Sequence, residues 1–93
     1  MYLHLGQETV VRASTVIGIF DSDNTTLSRA TRDFLHTREQ QGRVVSITDD
    51  IFKSYVVCVD ENGEETVYLS QVATATLRKR WAEGTKRNVG TNI

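Results

Sequence analysis

The sequence predicts a small single domain of mixed α/β type, in the α+β sense: a mostly antiparallel sheet carrying one long and one short helix. Three observations lead there. Runs rich in β-branched and alternating apolar residues recur in both halves of the chain, "YLHL", "TVVR" and "STVIGIF", then "RVVSI", "KSYVVCV" and "TVYLS", as a pleated, half-buried surface requires. One stretch, "SRATRDFLHTREQQG", instead repeats its apolar residues at helical spacing. The last two strand-like runs are joined by "DENGEE", whose Asn62-Gly63 pair is a hairpin signal.

The first three strands are expected at residues 2–5, 9–12 and 15–20, with Gly6 breaking the first run from the second. "DSDNTTLS" is dense in turn and capping residues, and Ser28 is the best N-cap for the long helix, because its hydroxyl can accept from a free amide of the first turn. Leu27, Ala30, Phe34 and Leu35 share one face of that helix, while Arg29, Arg32, Asp33 and Arg38 lie largely elsewhere. Phe34 and Leu35 should therefore be buried on the sheet, and Gly42 should end the helix in a left-handed turn.

The second half repeats the pattern. A strand at 43–47 is followed by the loop "DDIF", then by two strands around the Asn62-Gly63 tip. The near-continuous apolar run Val56, Val57, Cys58, Val59 reads as a central strand covered on both faces, or as a strand at a subunit interface. A short helix is expected from Thr74, acting as cap, to Glu83, with Gly84 ending it. Leu77 and Trp81, at i and i+4, would anchor its inner face and leave Arg78, Lys79 and Arg80 pointing away. On this reading residues 1–84 form the domain and 85–93 a flexible basic C-terminal tail.

Composition bounds the function. A chain of 93 residues has room for one domain, and 39% hydrophobic with 25% charged residues is ordinary for a globular protein. No apolar run approaches the roughly 20 residues needed to cross a bilayer, and the opening residues lack the basic and apolar regions of a secretory signal, so a cytoplasmic location is expected. Charge is uneven: residues 1–77 hold six basic and eleven acidic groups, residues 78–93 five and one. Such polarity fits a basic segment that meets a polyanion, or one protomer's tail against another's acidic body. Catalytic and metal chemistry find little support. His4, His36 and Cys58 match no zinc spacing, Asp49 and Asp50 read as turn residues, and the glycines are scattered singly rather than gathered in a phosphate loop. No enzyme, metal or cofactor is expected, and Cys58 within its apolar strand behaves as a small hydrophobe.

"MYLHLG" at the start, "VIGIFD" at 16–21, "FL" at 34–35, "KSYVV" at 53–57, "LS" at 69–70 and "TLRKR" at 76–80 together resemble the extracellular matrix regulatory proteins, the Rem-type biofilm regulators of Firmicutes. The opening hexapeptide and the "KS-x-VV" and "TL-x-KR" pieces resemble the B-type branch, and the likeness spans residues 1–81. It implies a fold akin to the LytTR DNA-binding domain, ring-like homo-oligomers and, for A-type members, activation of matrix and osmoprotection genes through DNA contacts. A-type members place an arginine cluster in the loop before the penultimate strand. The matching stretch here is "TDDIFKS", where Lys53 alone is basic and Asp49 and Asp50 would repel a phosphate backbone. The expected DNA-binding surface therefore moves to Arg78, Lys79, Arg80, Lys86 and Arg87, with Lys53, Arg29 and Arg32 as further contacts. The alternative is a protein-interaction or scaffold module without direct DNA binding.

Overall fold

The computed structural model describes residues 1–22, 29–49 and 51–90, with 84–90 described as backbone only. In chain order the elements are β1 (Tyr2–Gly6), β2 (Thr9–Arg12), a 3-10 turn (Ala13–Thr15), β3 (Val16–Asp21), α1 (Arg29–Gln40), β4 (Val44–Ser46), β5 (Ser54–Val59), β6 (Glu65–Ser70) and α2 (Thr74–Gly90). β1 and β2 form an antiparallel hairpin, and the other strands form one sheet in the order β3-β5-β6-β4. All pairings in it are antiparallel except β4 with β6. The α+β expectation holds.

β5 explains the architecture. It lies between β3 and β6, and its alternate side chains feed two separate cores. Val56 and Cys58 join Leu3, Leu5, Val11, Val16, Ile19 and Leu77, under the β1–β2 hairpin and α2. Tyr55 and Val57 join Val67 on the opposite face, against Phe34 and Leu35 of α1. A strand buried on both faces needs apolar residues at every position, which is why Val56 to Val59 reads as a run rather than an alternation. Leu3, Leu5, Val56, Val67 and Leu77 are at most 2% exposed, and each such side chain contributes about 1.5–3 kcal/mol of burial.

Several expectations need correction. Phe34 and Leu35 dock on the sheet but only half-buried, and no residue of α1 is fully buried. α1 packs on the β6–β4 half of the sheet, and an open groove lined by Ile17, Phe20, Ala30 and Phe34 separates it from β3. Gly42 does take the left-handed conformation, φ 70°, while the Ser28 cap and Leu27 fall outside the described residues. Thr74 is the first residue of α2 rather than its cap, since Ala73 O receives the first helical bond from Leu77 N at 3.1 Å. The chain is already pinned just before that point: Ser54 Oγ donates to Val72 O at 2.8 Å, and Val72 N donates to Ser70 Oγ at 3.0 Å. The Thr74 hydroxyl is buried with no hydrogen-bond partner among the described residues. Finally, α2 does not stop at Gly84. It runs to Gly90 and is the longer helix among the described residues, 17 against 12, because a glycine inside a helix costs only about 1 kcal/mol.

Candidate nucleic-acid interface

α2 is held by its inner face. Leu77 is fully buried, and four residues later Trp81 packs against the same core while its indole Nε1 donates to Ala13 O at 3.1 Å. The three basic residues between them sit on the exposed side of the helix, as the i, i+4 spacing predicted. Their heads are not free, however. Arg78 Nη2 donates to Ile19 O at 2.9 Å and Arg80 Nη1 to His4 O at 3.2 Å, so the two guanidiniums reach down to β3 and to β1. Lys79 makes no tertiary bond among the described residues. Each guanidinium has five donors and uses one here, which fixes its position while leaving charge and donors for a ligand.

The other sequence-predicted contacts are not gathered at this ridge. Arg29 and Arg32 are exposed on α1, across the sheet from α2. Arg29 lies 3.9 Å from Asp33 in a pair whose side chains are 91% and 73% exposed, which contributes little. Lys53 is exposed at the entry to β5, where its backbone is clamped: its N donates to Ser70 O at 2.8 Å, and its O accepts from Ser22 N and Oγ. Lys86 and Arg87 lie on the continuing helix of α2, their side chains outside the described residues. Asp49 is exposed in the loop before β5; Asp50 falls outside the described residues.

Arg38 and Arg43 are engaged inside the fold. Arg38 pairs with Glu65, and Arg43 reaches Glu64 at 3.1 Å and Asp60 at 3.5 Å. These contacts tie α1 and β4 to the β5–β6 hairpin and neutralise much of its acid. Asp60 Oδ1 also accepts from the backbone N–H groups of Glu64 and Asn62, and these bonds, with Arg43, hold its carboxyl below the usual carboxylate range. Cys58 is buried, and burial pushes its thiol up, with a hydroxyl contact from Thr15 opposing. That environment keeps the sulfur protonated and inert. No cluster of His, Cys, Asp and Glu suited to a metal ion occurs among the described residues, and none of their helices is long and apolar enough to cross a membrane.

Sequence periodicity did not single out the outward side of the first hairpin. Tyr2, His4, Val10 and Arg12 are all exposed there, alternating with the buried Leu3, Leu5 and Val11. The alternation in "YLHL" and "TVVR" was visible, but their adjacency to Arg80 was not, since positions 4 and 80 meet only in the folded chain.

Fold and surface together define a small α+β domain with a two-stranded hairpin, a four-stranded sheet and three exposed basic residues in a row on α2. Residues 2–81 match the family model described as extracellular matrix regulatory protein A-like, or RemA-like. The chain is also 35% identical over 80 residues to extracellular matrix regulatory protein B of Bacillus subtilis (strain 168), an alignment covering 86% of this chain and 89% of that protein. The chain belongs to the RemA-like family of extracellular matrix regulatory proteins. The matched region ends at Trp81, so the basic ridge lies inside it and the last turns of α2 lie beyond it.

Proposed function

We propose that the chain regulates extracellular matrix genes of biofilm formation as a cytoplasmic, DNA-binding homo-oligomer, with Arg78, Lys79 and Arg80 at the centre of the DNA surface. Family membership supports the regulatory part of this reading. The observation that carries the DNA part is the ridge itself: three consecutive cations on the exposed side of a helix anchored by Leu77 and Trp81, two of them preset by backbone carbonyls. A subunit with a formal charge of −1 gains from repetition, because weak phosphate contacts from several protomers add through effective concentration.

The test compares wild type with the triple Arg78→Gln, Lys79→Gln, Arg80→Gln variant on random-sequence duplex at two salt concentrations, with oligomer size followed in parallel. Binding should weaken about equally for all sequences, and the salt slope should fall by roughly 0.9 for each phosphate the variant no longer neutralises. Lys79→Gln alone serves as the control for folding, since Lys79 holds nothing else in place. Equal binding by wild type and the triple variant, with assembly intact, would reduce the ridge to a solvated helix face.

A second reading has an observation of its own. Ile51 is 90% exposed, close to the exposed Asp49, in the loop before β5. An apolar side chain presented beside acid suits a protein contact better than a phosphate backbone, and favours a scaffold or protein-interaction role for that loop.

A further inference from the structure

The β1–β2 hairpin adjoins the basic stretch of α2 through one bond, Arg80 Nη1 to His4 O. In the hairpin register Tyr2 stands opposite Arg12 and His4 opposite Val10, so Tyr2 and Arg12 are direct cross-strand neighbours, with Cβ atoms about 4.5–5.5 Å apart. Tyr2 is 64% exposed. On the α2 side, the Arg80 guanidinium lies against the strand that carries Tyr2, through its bond to His4 O. The arrangement is braced. Ala13 N donates to Met1 O at 2.9 Å, Trp81 Nε1 donates to Ala13 O, and the His4 ring is held to Gln7 O at 2.7 Å. The hairpin backbone is therefore fixed, with the exposed Tyr2 opposite Arg12 across the strands and the Arg80 guanidinium bonded two residues further along β1.

That combination selects its ligand. A protein partner would prefer a contiguous apolar face, and here Tyr2 and Val10 alternate with Arg12 and His4. The acid of the hairpin, Glu8, lies at its turn, the end away from the Tyr2–Arg12 pair. An exposed ring with cations on the neighbouring strand and helix instead matches a single nucleic-acid strand, whose bases stack on aromatic faces while its phosphates take the charges. We propose that this surface, Tyr2, Arg12 and Arg80, binds unpaired nucleic acid, with Tyr2 stacked on a base and the two arginines on the flanking phosphates. The proposal rests on the nucleic-acid reading above and adds a stacking site to it, one that discriminates single strands from duplex.

The experiment is fluorescence anisotropy of the full chain with a labelled oligothymidylate and with a random-sequence duplex, using Tyr2→Ala, Tyr2→Phe and Arg12→Gln. Thermal melts confirm folding, which the exposure of Tyr2 favours. Tyr2→Ala should weaken oligothymidylate binding roughly 5- to 150-fold, the range for removing one stacked base, and should change duplex binding less. Tyr2→Phe should bind like wild type, and Arg12→Gln should lower the single-strand salt slope by about 0.7. If Tyr2→Ala binds oligothymidylate as wild type does while the α2 triple variant no longer binds duplex, the stacking surface is wrong and the ridge stands. If wild type binds neither probe, both proposals fall.

Discussion

The ring of Phe20 occupies the space that a side chain at position 18 would need: a Cβ on Gly18 would fall 2.4 Å from Cε2 and 2.5 Å from Cζ. Phe20 also stacks on Tyr55, with centroids 5.0 Å apart and planes at 18°. A glycine inside a strand normally weakens it, and here it makes room for the aromatic pair. Gly18→Ala should push the ring outward and disrupt the stacking, at a cost of about 0.5–1.5 kcal/mol. In a Phe20→Ala background the same change should be neutral or stabilising. Chemical denaturation of the four proteins in that cycle checks it, and additive effects would mean the ring does not depend on Gly18. A second residue-scale prediction concerns Asp60. Its folded pKa is depressed, so its contribution to the β5–β6 hairpin is present above the ordinary value of about 3.8 and is lost as pH falls through the lower folded value. Asp60→Ala should remove that acid step from the stability profile of the hairpin, and an unchanged step would assign it to another carboxylate.

At the scale of elements, the two helices are docked unequally. α2 inserts the fully buried Leu77, whereas α1 lays down Phe34 and Leu35 half-exposed, with Arg38 stacked over the Phe34 ring at 4.8 Å. Leu77→Ala should cost roughly 3–5 kcal/mol as a large-to-small change in a closed core. Phe34→Ala should cost about 1–2 kcal/mol, less than the 3–5 of a fully enclosed phenylalanine, because part of its surface already meets water. Denaturation midpoints of the two variants should fall in that order, and a reversed order would mean α1 carries more of the fold than its burial implies.

For the whole molecule, the sheet ends in two outer strands, β3 and β4, and both expose apolar side chains, Ile17 at 57% and Val45 at 41%. Such strands carry unpaired backbone groups on their outer side, and a second copy of the chain is a chemically suitable cover. Light scattering at micromolar protein should therefore give a mass that is a multiple of 10.5 kDa. A clean monomer would remove the multivalent mechanism and leave each protomer to bind DNA with its own few cations.

The sequence by itself determined whatever depends on short-range pattern. The strands follow from period-two and β-branched runs, the end of α1 from Gly42, and the exposure of Arg78 to Arg80 from the spacing of Leu77 and Trp81, while the unbroken apolar stretch of β5 left a doubly covered strand and a subunit interface both open. Family membership was legible for a related reason, since its short motifs survive as contiguous strings. Tertiary structure alone decided what depends on residues distant in the chain: that α1 sits toward β6 and β4 and leaves Phe34 half-covered, that Arg38 and Arg43 are absorbed by the acidic hairpin, and that Arg29 and Arg32 lie across the sheet from the ridge. It also extended α2 through Gly84 and brought Arg80 to His4. Periodicity states which face of an element is apolar, but the position of one element on another is set by how their surfaces interlock, and that information is spread over many residues at once.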